Sequence, residues 1–306
     1  MKKLLVILGP TASGKTRLAV QLAHQLNGEI VSVDSRQVYR DMDIGTGKDL
    51  DEYQVDGQSI PYHLINLVDA GRSYNLYEFQ QDFYRVVPQI LARGRVPIAC
   101  GGSGLYLESV LKGHQFTAIP IDESLRARLE TQTDDGLLTV FHQTPSIYSE
   151  LADTSTRKRT IRAIEIATYL KQHPDTKLAG LPSLPDFQVF GISLSAEMRR
   201  QRITNRLHER LNNGMIEEVK HLLEKGVSAD KLVFYGLEYK FITQYLIGEL
   251  PYEIMVQRLE TAIHQFSKRQ MTFFRKMERD GIPIHWLDGR KVTEELVGEV
   301  TELVER

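Results

Sequence analysis

Leu4 to Leu8 is an uninterrupted apolar stretch that runs into a glycine-rich turn, and from Thr16 onward Leu18, Leu22 and Leu26 recur at helical spacing. A short all-apolar run followed by a 3.6-residue period predicts a strand buried on both faces, a loop and an amphipathic helix. Ile30 to Val33 and Val96 to Cys100 are also strand-length and also end in polar or glycine-rich turns. A fourth strand is predicted at Phe187 to Leu194, before Ser195, which suits a helix N-cap and precedes Ile203, Leu207 and Leu211 at helical spacing. Strands alternating with helices predict an α/β fold with a doubly wound parallel sheet. Between Thr117 and Asp186 the strand signals fade. Charged helical stretches at 125–130 and 157–170, followed by Pro174, Pro182 and Pro185, predict an inserted helical region over 117–186, leaving 1–116 and 187–306 as the core. After Pro251, the residues Leu259, Ile263, Phe266, Gln270, Phe273 and Met277 fall three and four apart and predict a long helix that packs on the core through that face.

Composition narrows the class. The chain has 306 residues, 42% of them hydrophobic, enough for about two domains at roughly 150 residues each. The 22 glycines and 11 prolines are ordinary globular usage and exclude a collagen, a solenoid or a linker protein. Thirty-eight basic against forty acidic residues give a net charge of -2, so any surface for a polyanion must be local. The single cysteine, Cys100, excludes an internal disulfide and argues against a thiolate metal site; a small hydrophobe in a buried strand is the expectation for it. Leu4 to Leu8 is too short for a signal-peptide core or a membrane span, so a cytoplasmic location without membrane attachment is expected.

The first turn carries chemistry. Gly9-Pro10-Thr11-Ala12-Ser13-Gly14-Lys15-Thr16 fits the P-loop pattern of nucleotide-binding (ATP-binding) proteins. Its glycines let backbone N–H groups wrap an oxyanion, Lys15 adds a point charge, and the Thr16 hydroxyl can hold Mg²⁺. The loop implies a polyphosphate or diphosphate site without saying what is transferred. Asp34 follows the second strand at the carboxyl edge, where catalytic groups of open parallel sheets gather; it is the candidate general base, with a helix N-cap as the plain alternative. The turn Gly101-Gly102-Ser103-Gly104 places Ser103 at the same edge, although such a turn is often only a tight connection. Basic residues cluster at 157–162, at Arg199, Arg200, Arg202, Arg206 and Arg210, and at Lys268, Arg269, Arg275, Lys276 and Arg279. Three clusters in a slightly acidic chain point to RNA, against the alternative of solvated helix faces. His63, Phe273 and Phe274 are read as packing residues.

At this point the sequence resembles the tRNA dimethylallyltransferases. The likeness rests on GPTASGKT at 9–16, DSRQVYRDMDIGTGK at 34–48, YHLIN at 62–66, GGSGLYL at 101–107, KRTIRAIEI at 158–166, RITNR at 202–206 with GMIEEV at 214–219, and KRQMTFFR at 268–275. It implies a P-loop NTPase-like core with a helical insertion. It also implies transfer of a dimethylallyl group from dimethylallyl diphosphate to N6 of adenosine 37 in the anticodon stem-loop of tRNA, with diphosphate released. By resemblance the P-loop holds the diphosphate, Asp34 is the base on N6, and Ser103 contacts the bridging oxygen, serine standing for the family's usual threonine. Lys15 and an arginine of the 199–210 helix, Arg206, are expected to stabilise the leaving group. Contacts to tRNA are expected from Asp34, Ser35, Arg36 and Gln37, from Lys158, Arg159, Thr160, Ile161 and Arg162, and from Lys268 and Arg269. Phe273 stands where the family has tryptophan, 234–240 replaces a GYKE-like segment, and the insertion is shortened. A monomer is expected. An adenylate isopentenyltransferase acting on free nucleotide, a P-loop small-molecule kinase and an RNA-binding NTPase remain as alternatives.

Overall fold

Strand β1 (Leu4–Leu8) is buried at every position, and so is β2 (Gly28–Ser32), which is why both read as strands with no solvent face. They belong to a six-stranded sheet in the order β5 (Tyr62–His63), β2, β6 (Val96–Gly101), β1, β7 (Phe187–Ser193), β8 (His285–Asp288). Every pairing in it is parallel, with Leu5 beside Ile98 on one side and beside Gln188 on the other. A two-stranded antiparallel ribbon, β3 (Gln54–Val55) and β4 (Gln58–Ser59), stands apart. The computed structural model describes residues 3–176, 178 and 181–305. Residues 177, 179 and 180 of the expected insertion, and 1, 2 and 306 of the expected core, lie outside them.

One face of the sheet is covered by α1 (Lys15–Leu26) and by α12 (Thr293–Glu305), whose Leu296, Val297 and Val300 join Leu18, Leu22, Ile98 and Phe190 in one core. Between β5 and β6 runs α2 (Leu76–Ala92), opened by a complete capping box from Asn75 and Glu78, and after β6 comes α3 (Gly104–Leu111). A second core belongs to helices: α7 (Ala196–Asn212), α8 (Met215–Glu224), α9 (Ala229–Tyr235), α10 (Leu237–Leu246) and α11 (Tyr252–Arg279) close over Val38, Tyr39 and Met42. Ser195 caps α7 as expected, its Oγ accepting from the Met198 N–H at 3.2 Å.

The face of α11 needs correction. Its buried residues are Met255, Leu259, Ile263, Ser267, Gln270, Met271, Phe274 and Met277, while Phe266 is 40% exposed. The expected stripe alternated steps of four and three, a period of 3.5, which drifts by about 20° per heptad against a straight helix. By the second turn the drift hands the core position from Phe266 to Ser267, and later from Phe273 to Phe274. Strand β8 and helix α12 had no counterpart in the sequence reading.

The chain divides into two compact units, residues 1–112 with 183–306, and residues 113–182. The second unit is built from α4 (Glu123–Leu129), α5 (Asp134–His142) and α6 (Arg157–Gln172) around Leu129, Leu137, Phe141, Ile161 and Ile164. Its buried Glu165 accepts from Arg126 Nε and Nη2, both at 2.8 Å, and from the Asp122 N–H at 3.1 Å. Among the described residues no helix is long and apolar enough to cross a membrane.

Candidate active site

The carboxyl ends of β1, β2 and β6 open into one cavity of about 320 Å³, lined by Lys15, Thr16, Asp34, Ser103, Arg206 and Gln270 among others. This is the edge at which open parallel sheets bind ligands. Gly14, at φ +90°, sits in the left-handed region that turns the chain from the loop into α1. The loop is held from behind by α11: Gln270 Oε1 accepts from the Thr11 N–H and its Nε2 donates to the Gly102 carbonyl, both at 2.9 Å. A Cβ at Gly102 would lie 2.4 Å from Gln270 Nε2, so the second glycine-rich turn serves close approach as well as turning. Gln270 was expected to contribute to a packing stripe. A polar residue on a core-facing position was the signal that it bonds to something.

Positive charge is concentrated and dry here. Burial pushes the Lys15 ammonium below its ordinary value, and Arg206 above it adds to the effect while the Cys100 thiol and Asp34 oppose it. Burial, reinforced by Arg210, pushes the Arg206 guanidinium down to about 10, which still leaves it charged at neutral pH. Arg206 Nη2 donates to the Thr11 hydroxyl, and Arg210 donates to Asp49 at 2.9 Å. Arg202 donates to the Ser13 and Gly289 carbonyls at 3.3 and 3.0 Å. Arg202 and Arg206 therefore face the P-loop, and Arg210 faces Asp49 in the cavity wall. This corrects the reading of the row at 202, 206 and 210 as an RNA-tracking stripe: the apolar row beside it docks α7 on the second core, which turns the arginines towards the loop and the wall.

Asp34 lines the cavity, and its Oδ1 accepts the Arg36 N–H at 2.8 Å in a turn that no helix follows. The plain N-cap alternative is thus excluded. Ser103 precedes α3 but its side chain does not cap that helix; its Oγ instead accepts the Ser35 N–H at 3.2 Å, which ties the two strand ends together and leaves the hydroxyl hydrogen to donate. Ser35, Arg36 and Gln37 line the same cavity. Cys100 is buried there too, and burial pushes its thiol up to about 12, so it is no nucleophile at neutral pH. A further carboxyl in the wall, Glu238, is raised above its ordinary value, chiefly by burial.

Two residues that support the wall from behind were missed. Lys48, fully buried, donates to the Tyr39 carbonyl at 2.7 Å and to Asp43 at 2.6 Å. Glu218 accepts from the N–H groups of Asp43, Ile44 and Gly45 at 2.8, 2.6 and 3.0 Å and from the Tyr239 hydroxyl at 2.6 Å. One carboxylate thereby moulds the 43–45 turn, whose Gly45 and Thr46 line the cavity. The acid pair Glu217-Glu218 at a helix start reads, from sequence, as a macrodipole feature.

The remaining expected residues lie elsewhere. Lys268 and Arg269 are exposed on α11, with Arg269 over the Phe266 ring at 5.9 Å. Lys158 and Arg159 are exposed in the helical unit, Arg159 donating to Asp153 at 2.8 Å. Thr160 and Ile161 are 3% and 6% exposed. Thr160 bonds the Thr154 carbonyl and Ile161 fills that unit's core, so neither offers the surface expected of it. Arg162 donates to the Ile119 carbonyl at 2.6 Å and to Pro120 at 3.2 Å, holding the unit together. These three face inward because α6 is the central helix of a three-helix unit. His63, expected only to pack, pairs with Glu29 at 2.6 Å.

The donor set fits a hard divalent ion. Thr16, Asp34 and Asp49 offer oxygen in one cavity, and among the described residues no group of three or more His, Cys, Asp or Glu is placed to hold a metal. Magnesium suits such a site, since it takes few protein ligands and shares the rest of its shell with substrate phosphates and water.

A P-loop, two basic helix residues above it and an acid at the next strand end define a P-loop α/β enzyme that handles a phosphorylated substrate. Residues 37–277 match the model of the IPP transferase family, and residues 2–61 match that of isopentenyl transferases. The chain is 51% identical over 302 residues to a tRNA dimethylallyltransferase of Porphyromonas gingivalis, with 98% of each chain covered. It is 48% identical to one of Bacteroides fragilis, covering 98% of this chain and 97% of the relative. Among solved structures, the tRNA isopentenylpyrophosphate transferase of Bacillus halodurans superposes with a TM-score of 0.72 at 30% identity, over 100% of this chain and 96% of that one. A eukaryotic dimethylallyltransferase acting on tRNA gives 0.71 at 26% identity, over 94% and 74%. The chain belongs to the IPP transferase family.

Proposed function

We propose that this protein transfers the dimethylallyl group of dimethylallyl diphosphate to N6 of adenosine 37 in the anticodon stem-loop of tRNA. The observation that carries the reading is the convergence of the P-loop, Asp34, Ser103 and Arg206 on one cavity, in a chain of this family. The N6 lone pair is conjugated with the purine ring and is a weak nucleophile, so catalysis must make the allylic carbon electrophilic. The P-loop N–H groups, Lys15 and Arg206 hold the diphosphate and take up charge as the bond from allylic carbon to bridging oxygen breaks. Ser103 donates its hydroxyl hydrogen to that bridging oxygen. N6 forms the new bond to the carbon, and Asp34 accepts the N6 proton, which leaves neutral N6-alkyladenosine and free diphosphate. Magnesium, held by Thr16, would supply further neutralisation of the diphosphate charge.

Adenine stacked in a loop cannot present N6 to an enclosed cavity, so the base must be flipped out to react. Lys158 and Arg159 in one unit and Lys268 and Arg269 in the other, all exposed, suit contacts to the RNA backbone. The reading places the enzyme in the cytoplasm, acting as a monomer. The test is incubation of labelled dimethylallyl diphosphate with unmodified tRNA, with AMP, and with ATP and a small alcohol. Label in tRNA supports the reading. Comparable catalytic efficiency on AMP would make it a free-nucleotide enzyme, and phosphoryl transfer without prenyl product would make it a kinase.

A further inference from the structure

Beside the cavity an aromatic ring is held out in solvent. Phe234, in the last turn of α9, is 69% exposed, whereas Leu232 and Tyr235 around it are buried. The turn beneath is fixed: the Tyr235 hydroxyl donates to the Arg72 carbonyl at 2.8 Å and accepts the Gly71 N–H at 2.7 Å. Phe234 is also held from the cavity side. Arg36, a residue of the cavity wall, donates Nη2 to the Phe234 carbonyl at 3.1 Å and sets its guanidinium carbon 5.4 Å from the ring centroid. A planar cation and a phenyl ring are therefore assembled next to the part of the cavity wall formed by Arg36, Tyr235 and Gly236. An isolated exposed phenylalanine is common on protein surfaces; this one meets the Tyr235 ring edge-on, with centroids 6.4 Å apart, and is clamped by a residue of the cavity wall, yet most of its ring stays open to solvent.

A nucleotide that leaves its loop to enter the cavity strands its neighbours outside it with their faces unstacked. Such bases are recovered in RNA-binding proteins by stacking on aromatic rings and guanidinium planes. Resting on the acceptor assigned above, we propose that Phe234 and Arg36 form a stacking platform for the unpaired nucleobase next to the modified adenosine. The platform adds specificity for a single-stranded RNA context that a free nucleotide lacks, because a mononucleotide has no neighbour to place there.

The experiment is a double-mutant cycle on binding. The intact protein and Phe234→Ala are titrated with an unmodified anticodon stem-loop, and with versions abasic at the 5′ or the 3′ neighbour of the target adenosine. Phe234→Ala weakens binding of the intact stem-loop by about 5- to 150-fold, the worth of one base on an aromatic side chain. Removal of the stacked base costs the intact protein a similar factor and costs Phe234→Ala almost nothing. Phe234→Trp, which keeps a flat face, restores binding, whereas loss through misfolding would not be restored. Equal losses from the abasic changes in both proteins, at both neighbours, would overturn the platform. Failure of the functional reading is seen separately, as absence of label transfer by the unaltered protein to the intact stem-loop.

Discussion

Asp34 and Ser103 are joined through one backbone group, since Asp34 lines the cavity and the neighbouring Ser35 N–H is bonded by Ser103. Their roles nonetheless separate by chemistry. Asp34→Ala removes the proton acceptor and should slow the chemical step by about 10²–10⁴-fold, read in single-turnover experiments at saturating tRNA; a near-normal rate would remove Asp34 from the mechanism. Ser103→Thr keeps a hydroxyl and should keep activity. Ser103→Ala loses the donor to the leaving oxygen and should cost about 10²–10³ in kcat, on the scale of one oxyanion donor. If the two variants behave alike, the hydroxyl is not the relevant group, and melting curves of both separate this from damage to the Ser35 contact.

At the scale of elements, carboxylates decide how loops are held. Glu218→Gln leaves at most one accepting oxygen where the 43–45 turn now uses two. It should therefore lower kcat/KM for tRNA at least tenfold with little change in diphosphate affinity, because the P-loop is held independently by Gln270; equal losses for both substrates would show general unfolding. The seam of β2 with β5 and α2 turns on Glu29, 3% exposed, which takes bonds from Arg93 and pairs with His63. Burial alone would raise its pKa, but the hydrogen bonds from Arg93 and His63 outweigh that and lower it. A carboxyl with a depressed folded pKa binds its proton later than the unfolded chain does. Its contribution is complete above the ordinary glutamate range near about 4.3 and is lost as pH falls through the depressed value. Glu29→Gln should cost about 1–3 kcal/mol in urea unfolding at pH 7, with the difference from the unaltered protein shrinking as the pH is taken below about 4.

Over the whole molecule the charge is nearly balanced, at -2, so attraction to RNA must come from exposed local groups. Stem-loop affinity should fall about 10³–10⁵-fold between about 50 and 200 mM salt if six or more phosphates are contacted. Lys158→Glu with Lys268→Glu should flatten that slope and leave dimethylallyl diphosphate affinity alone; an unchanged slope would place the RNA elsewhere. Arg162 is unsuited to such a test, because its guanidinium binds the carbonyls of its own unit and its reversal would damage the fold.

The sequence alone determined the features that are local in the chain. The P-loop with its flanking strand and helix, Asp34 at a strand end, Ser103 in its turn and the Ser195 cap each need only a few consecutive residues whose backbone preferences agree. The family could be read from the same short segments. What only the tertiary structure decided are the contacts across hundreds of positions. Gln270 bonds Thr11 across 259 residues, Glu218 holds Asp43 across 175, and Arg206 reaches Thr11 across 195. It also decided which arginines face the cavity and which face water, since helical spacing defines a stripe but not what lies opposite it. Strand β8, four residues at the sheet's edge, has too little pattern to announce itself. The local backbone fixes what a residue can do; packing of distant elements fixes the partner it does it with.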